Sequence, residues 1–252
     1  MTLATRPDLE GPEETKSPIR RVLPDWDDML STGQAHDIIG NTLQWSGLVI
    51  IPSDCGYALM GMPGHPEAMT VLDHLLQHST TATPLTVATA EMAFAHIECS
   101  LVQKRIMAHA WPGGVTVVGK VTRRASKLTK SLHTTDTLGL RVSRSHIERQ
   151  LSAEAALALT SAAIRLPDGS VARTYEEAAG IVTDGLQSMP FSKLVPIVGI
   201  PHTTPFVFST HSTVMGLGAG GAVDILREGT VDRRTLISWG TQISPAEYSD
   251  AT

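Results

Sequence analysis

Aromatic residues and cysteines are scarce in this chain of 252 residues. Aromatic side chains make up only 4% of it, against 42% for apolar residues as a whole, so the core must consist mainly of Ala, Val, Leu, Ile and Met. Cys55 and Cys99 are too few for a disulfide framework and lack the spacing of metal ligands. We therefore predict a protein of a reducing compartment, the cytoplasm.

The chain also lacks an excess of positive charge. Its formal net charge is −5, whereas strong nucleic-acid binding requires clustered Lys and Arg side chains that neutralise phosphates. One dense basic stretch runs from Lys120 to Lys130. A solvated loop after a strand is one interpretation of this stretch, and a weak contact with RNA is the other.

No apolar run is long enough to span a bilayer, and the N-terminal residues lack the apolar segment of a signal peptide. We therefore predict no membrane partner. The first 21 residues are rich in Pro, Glu, Thr and charge. They favour a flexible lead-in over residues 1–24, followed by one domain over residues 25–242 and a short tail over residues 243–252.

Short apolar strands and amphipathic helices alternate irregularly along the chain. We expect helices at about 25–45, 67–77, 90–96, 101–110 and 144–155, and strands at 48–51, 85–88, 115–121, 138–142, 158–161, 194–200, 206–208, 212–217 and 222–226. Thr174, three residues before Glu177, has the pattern of a helix N-cap. The mixture indicates a single α/β domain with one mixed, twisted sheet and a β-rich C-terminal part, too irregular for a doubly wound fold.

The segment Pro52–Leu59 follows a buried apolar strand and contains Ser53, Asp54 and Tyr57. A loop of this composition can present hydroxyls, a carboxylate and an aromatic face to a small ligand. An ordinary strand-to-helix turn capped by Asp54 is the alternative interpretation.

Arg141 lies inside the apolar strand predicted at 138–142. A charge in such a strand is unfavourable unless it is paired or faces a ligand. Arg141 is thus a candidate for contacting a carboxylate or phosphate, and a structural ion pair with Asp54 or Asp224 is the alternative.

Patterns that would specify other chemistry are absent from the sequence. His74 and His78 have helical spacing, but no Glu accompanies them in a zinc-binding pattern. The chain contains no dinucleotide-binding glycine motif, no Walker lysine loop and no serine nucleophile elbow. We expect no metal site of the protein's own and assign no catalytic residue.

Taken in order, the remaining motifs resemble those of the YrdC-like family, whose best-known members are threonylcarbamoyl-AMP synthases. Pro52–Leu59 is similar to the family's P-T-D-T-x-Y-G-L segment, and Leu226–Gly229 is similar to its L-R-E-G segment. Between them, in the family's order, lie counterparts of its W-P-G-P-x-T turn (residues 111–116), R-V-P strand (138–142), T-S-A-N loop (159–163) and S-T-V strand (212–214). The resemblance covers roughly residues 30 to 240.

The resemblance implies a twisted mixed α/β sheet with flanking helices and a large concave cavity. It also implies three substrates, namely ATP together with Mg²⁺, L-threonine, and bicarbonate. The implied products are diphosphate and threonylcarbamoyl-AMP, which is used in tRNA modification. By position, Ser53, Asp54, Tyr57 and Thr116 are expected to bind the amino-acid substrate, and Arg141, Ser161, Ser212 and Arg227 the nucleotide.

Several residues depart from the family's pattern. Where the family has a cationic stretch for the ATP phosphates, residues 77–85 contain no Lys or Arg, and Ala163 replaces the asparagine of the T-S-A-N loop. The alternative function is therefore a divergent domain that binds a nucleotide, a small acid or RNA without adenylation. Replacement cations could come from elsewhere, with Lys104, Arg105, Arg123 and Arg165 as candidates.

Overall fold

The computed structural model describes residues 19, 21–22, 34–76, 83–132, 136–189, 195–201, 206–208 and 210–241. Residues 25–33 of the first predicted helix, the stretch 77–82 and the predicted tail 243–252 lie outside these ranges. Two residues of the predicted lead-in, Arg21 and Val22, form a short strand.

Eight α-helices and eleven strands occur within the described ranges. The helices are α1 (Gln34–Gln44), α2 (Pro66–Leu75), α3 (Ala90–His96), α4 (Leu101–Ala110), α5 (Ser126–Ser131), α6 (His146–Ala155), α7 (Tyr175–Gln187) and α8 (Arg233–Thr241). The strands are β1 (Arg21–Val22), β2 (Leu48–Pro52), β3 (Tyr57–Met60), β4 (Leu85–Thr86), β5 (Val115–Lys120), β6 (Thr137–Arg141), β7 (Leu159–Thr160), β8 (Ala162–Ala163), β9 (Ile197–Gly199), β10 (Thr213–Leu217) and β11 (Val223–Arg227).

The strands form two mixed sheets rather than the single sheet that we predicted. The first sheet has the order β1-β9-β2-β3-β8, and the second has the order β11-β10-β5-β6-β4-β7. In the first sheet β2 pairs parallel with β9 and antiparallel with β3. In the second, β5 pairs parallel with β10 and antiparallel with β6. The mixed α/β class is confirmed, with the strands divided between two layers.

Strand β2 separates two hydrophobic cores. All five of its residues are buried; Leu48 and Ile50 belong to the larger core, whereas Val49 and Ile51 belong to the smaller one. Because successive side chains of a strand point to opposite faces, an uninterrupted apolar run indicates a strand covered on both sides. Apolar residues of α1 and α6 complete the smaller core, and those of α2 and α7 contribute to the larger one.

The segment after β2 is neither an open loop nor a strand-to-helix turn. The chain reverses over residues 53–56 and returns as β3, with Pro52 opposite Tyr57. Gly56, at φ 151°, allows a close approach here, because a Cβ atom at this position would lie 2.6 Å from Val171 Cγ1. A four-residue polar turn is thus pressed against the segment that follows β8.

The chain passes from one sheet to the other at Ser161. Strand β7 pairs with β4 in the second sheet, whereas β8 pairs with β3 in the first. Ser161 is the single residue between these two strands. Its buried side chain therefore lies at the junction of the two sheets.

Two further segments differ from expectation. Residues 206–208 form no strand, and the Phe208 amide instead donates to the Asp54 carbonyl oxygen at 2.9 Å. The basic stretch is not a loop, because it continues from β5 into a 3₁₀ turn at Arg123–Ala125 and then α5. No helix in the described part of the chain is long and apolar enough to cross a membrane.

The predicted N-cap at Thr174 is confirmed. Thr174 Oγ1 accepts a hydrogen bond from the Glu177 amide at 3.2 Å, and a Glu177 carboxylate oxygen accepts one from the Thr174 amide at 3.1 Å. This reciprocal capping box satisfies two amides that the first turn of α7 would otherwise leave unbonded.

We expect Thr174→Ala to lower the free energy of unfolding by about 1 kcal/mol, because the amide of Glu177 loses its acceptor. Urea denaturation followed by circular dichroism measures the change. Thr183→Ala, in the middle of the same helix, is the control and should be neutral or slightly stabilising. Equal losses in the two variants would show that the capping box contributes nothing.

Candidate functional site

A buried ion pair joins the two sheets. Arg141 lies at the end of β6 in the second sheet, and its guanidinium donates to Oδ1 of Asp54 in the turn of the first sheet. Arg141 and Asp54 are 6% and 1% exposed. The structure thus confirms Asp54 as the ion-pair partner of Arg141, which was one of two partners considered from the sequence. The other, Asp224, is exposed on β11.

Hydrogen bonds and charge keep Asp54 ionised. Burial raises the pKa of its carboxyl group, but the Arg141 guanidinium and the Arg144 amide, which donates to Oδ2 at 2.9 Å, outweigh this effect. The pKa of Asp54 therefore lies below its ordinary value of 3.8. The neighbouring Cys55 thiol donates to Oδ1 at 3.3 Å. Burial, followed by the Asp54 charge, raises the pKa of Cys55 to about 12, so this cysteine stays protonated and inert.

A second carboxylate, that of Glu148, completes this buried group. Glu148 lies in the first turn of α6 and is fully buried. Ser53 Oγ donates to Oε2 at 2.8 Å, and Ser161 Oγ donates to Oε1. The Arg141 guanidinium lies 3.9 Å from Oε2. We call these five residues, Ser53, Asp54, Arg141, Glu148 and Ser161, the buried network.

A second set of predicted residues meets near the start of β5 and β10. Thr116 Oγ1 and Ser212 Oγ are 2.8 Å apart, and the Arg227 guanidinium donates to the Ser212 carbonyl oxygen at 2.9 Å. Parallel pairing of β5 with β10 brings the two hydroxyls together, because Thr116 lies opposite Val214 and Ser212, two residues earlier, points to the same face.

Two arginines and a histidine lie close together beside this set. Burial, followed by the charge of Arg165, lowers the pKa of the half-buried Arg227. Burial and the charge of Arg227 lower the pKa of His211. Within the described ranges, Arg165, Arg227 and His211 form no ion pair with a carboxylate. We call these three residues the cationic group after its two arginines, since the lowered pKa leaves His211 mostly uncharged at neutral pH.

A cleft of about 230 Å³ adjoins the cationic group. Its lining includes His211, Arg173 and Glu177. The Arg173 guanidinium donates to the Phe208 carbonyl oxygen at 3.0 Å and to that of Cys55 at 3.3 Å. Arg173 therefore holds the turn and residues 206–208 together along the cleft.

The structure places seven of the eight predicted site residues in the two sets around the turn. Ser53, Asp54, Arg141 and Ser161 belong to the buried network. Arg227 belongs to the cationic group, and Thr116 and Ser212 lie beside it. The eighth, Tyr57, is fully buried in the core, where its ring contacts Tyr175 and Phe206 edge-on at centroid distances of 6.1 and 5.6 Å. It presents no aromatic face to a ligand in this structure.

Glu148 and His211 were not predicted, and Arg165 was only one of four candidate cations. A signal for Glu148 exists, because it is buried together with Ile147, Leu151 and Ser152 on one face of α6. A carboxylate on the apolar face of a helix indicates a buried partner. No comparable signal marks Arg165 or His211, since the contact between segments far apart in sequence brings them together.

A mixed α/β domain with polar groups at the junction of two sheets is a typical small-molecule-binding architecture. A family model for Sua5/YciO/YrdC, described as "Telomere recombination", matches residues 41–229. The chain belongs to this family, which confirms the resemblance seen in the sequence. A search of curated proteins finds no match.

Solved structures show the same fold. Sua5 of P. abyssi in complex with L-threonine matches with a TM-score of 0.64 at 14% identity, over 87% of this chain and 60% of that one. E. coli YciO matches with a TM-score of 0.66 at 20% identity, over 86% and 98%. Full-length HypF in a phosphate- and nucleotide-bound form matches with a TM-score of 0.60 at 18% identity, over 77% and 29%. The chain thus spans nearly all of YciO but under two thirds of Sua5.

We expect Arg141→Met to lower the free energy of unfolding by about 3–5 kcal/mol at pH 7, because Asp54 then remains buried without its cation. The pKa of Asp54 is depressed in the folded protein, so the stabilisation is complete above its ordinary value of 3.8 and is lost as the pH falls through the folded value. The difference between variant and wild type should therefore shrink below about pH 4.

Denaturant titrations between pH 3 and pH 7 measure this difference. Arg149→Met is the matched control, because Arg149 donates only to the carbonyl oxygens of Ser143 and Arg144. A loss of stability in Arg141→Met that is small at pH 7, or that does not vary with pH, would contradict the ion-pair account.

Proposed function

We propose that this protein is a nucleotide-binding YrdC-like domain whose cationic group receives the phosphates of the nucleotide. The observation that carries the proposal is the proximity of Arg165, Arg227 and His211 without a carboxylate partner in the described part of the chain. In addition to burial, Arg165 lowers the pKa of Arg227, and both arginines lower the pKa of His211, because like charges close together repel each other. A bound anion relieves this repulsion.

Neighbouring groups suit the same ligand. The hydroxyls of Thr116 and Ser212 lie beside Arg227 and can donate to phosphate oxygens. The HypF structure with bound phosphate and nucleotide has the same fold and supports the choice of ligand class. The guanidinium of Arg227 and Arg165 can each bind a phosphate through two parallel hydrogen bonds.

Synthesis of threonylcarbamoyl-AMP from ATP, L-threonine and bicarbonate is the second candidate function. Family membership and the L-threonine complex of P. abyssi Sua5 favour it. In such a site the residues would position the threonine carbamate for attack on the α-phosphate and neutralise the charge that develops there.

The contacts within the buried network favour simple nucleotide binding over this second candidate. Arg141 is bound to Asp54, and the hydroxyls of Ser53 and Ser161 are bound to Glu148. These groups are therefore not free to neutralise a triphosphate. In adenylation, Mg²⁺ would be bound largely by the ATP phosphates and water.

We do not propose that the basic stretch binds RNA beside this site. Thr116 lies near the start of β5, whereas the basic stretch begins at Lys120, the last residue of this strand. Four residues of a strand span about 13 Å. The exposed cations of this stretch therefore lie away from the hydroxyls of Thr116 and Ser212.

We expect ATP, AMP and inorganic phosphate to bind the wild-type protein. Arg227→Gln should weaken the binding of each ligand roughly tenfold or more, because its phosphate then loses charge-assisted hydrogen bonds. Isothermal titration calorimetry measures the dissociation constants. Arg124→Gln, which removes an exposed arginine of the basic stretch, is the matched control and should leave them unchanged. The proposal fails if wild-type protein binds none of the three ligands, or if both variants bind equally well.

A separate assay addresses adenylation. Because Arg141 is already neutralised, we expect ATP to bind without release of diphosphate when L-threonine and bicarbonate are added. Diphosphate is measured by a coupled colorimetric assay, with omission of each substrate in turn as the control. Release that requires both L-threonine and bicarbonate would establish the second candidate in place of binding alone.

A further inference from the structure

Glu148 has no part in phosphate binding, yet its carboxylate is fully buried beside two residues expected to face ligands. Ser53 was expected beside the amino-acid substrate and Ser161 beside the nucleotide. Both hydroxyls donate instead to Glu148, Ser53 at 2.8 Å. The carboxylate thus lies between the hairpin turn of the first sheet and the crossing point of the two sheets.

The arrangement around Glu148 is that of a bound carboxylate ligand. Each carboxylate oxygen accepts a hydrogen bond from a serine, and the Arg141 guanidinium lies 3.9 Å from Oε2. Two hydroxyls and a guanidinium are the donors that a protein uses to hold the carboxylate of a small acid. In this chain the carboxylate belongs to the protein itself.

We propose that Glu148 occupies the carboxylate position of this site, and that the ligand beside Ser53 and Ser161 therefore carries no carboxylate there. The ligand class that this permits is a neutral or cationic small molecule, such as an amine or an alcohol. The inference takes from the family resemblance that Ser53 and Ser161 face a ligand, and it does not depend on the phosphate site proposed above.

Charge is the physical basis of this selectivity. The buried network already contains two carboxyl side chains and one guanidinium. A ligand carboxylate would bring a third acidic group next to Glu148 and find both serine hydroxyls engaged. Repulsive and unpaired groups of this kind exclude a ligand more effectively than weak contacts do.

The proposal predicts a gain of binding when Glu148 is shortened. Glu148→Ala removes a CH₂–COO⁻ unit, which acetate matches in size and charge. Ser53 is partly exposed, so a small ion can reach the space from its side. In the variant, Ser161 loses its carboxylate acceptor and Ser53 keeps only its 3.4 Å contact with Asp54 Oδ1, while Arg141 remains paired with Asp54.

We expect acetate to raise the melting temperature of Glu148→Ala by about 3 °C or more at saturation, while acetamide, its neutral counterpart, has little effect. Wild-type protein and Glu154→Ala, an exposed glutamate of the same helix, should respond to neither. L-threonine should bind Glu148→Ala at least roughly tenfold more tightly than wild type. Sodium chloride at equal ionic strength controls for salt.

Two results would overturn the inference: equal responses of folded Glu148→Ala to acetate and acetamide, or stabilisation of the wild type by acetate to the same extent. A purely structural Glu148 would leave the L-threonine affinity of Glu148→Ala within twofold of the wild type, and that result would overturn the inference as well. If Glu148→Ala does not fold, Glu148→Gln keeps the volume and removes the charge. An L-threonine affinity of Glu148→Gln within twofold of the wild type would then overturn it.

These measurements distinguish a failure of the inference about Glu148 from a failure of the proposed nucleotide binding. Phosphate or ATP binding without an acetate response in Glu148→Ala refutes this inference and leaves the proposed function standing. An acetate response in a protein that binds neither phosphate nor nucleotide refutes the proposed function and supports the role of Glu148.

Discussion

The buried ion pair between Asp54 and Arg141 is the constraint on which the site depends. Each charge lies where water is excluded, so neither can be tolerated without the other. Asp54 belongs to the hairpin turn of the first sheet and Arg141 to the second sheet, so the pair holds the two sheets together at their junction. Backbone groups reinforce it, because the Arg144 amide also donates to Asp54. The turn must therefore remain at this position, together with Ser53 and Cys55 on either side of Asp54.

This pairing determines how charge is distributed around the site. Arg141 is bound within the protein, and Glu148 adds a second carboxylate to the same buried network. The buried network thus contains two carboxylates and one guanidinium, whereas the cationic group contains two arginines and no carboxylate. Under the two proposals, an anion and a neutral or cationic group have different places to bind.

Most of the fold could be predicted from local sequence patterns, because most elements are short apolar strands or helices with clear caps. Helices α3 and α4 have the predicted bounds, and the capping box at Thr174 is present. Strand β3 was missed, because a tyrosine and an alanine after a polar turn do not specify whether the chain reverses. The division into two sheets was missed for a similar reason. Residues 158–163 look like one strand and a loop, and only pairing with β4 and β3 shows that the chain changes sheet at Ser161.

The sequence by itself determined the family, the α/β class, the polar residues that surround the turn and the need for a partner for Arg141. These follow from residue type and order along the chain, which local physical chemistry constrains directly. Only the tertiary structure decided that the partner is Asp54, that Tyr57 is part of the core and that Glu148 engages both Ser53 and Ser161. It also brought together Arg165, Arg227 and His211. Contacts between residues far apart in sequence depend on the packing of whole sheets, and a burial cost is known only once every neighbour of the charge is in place.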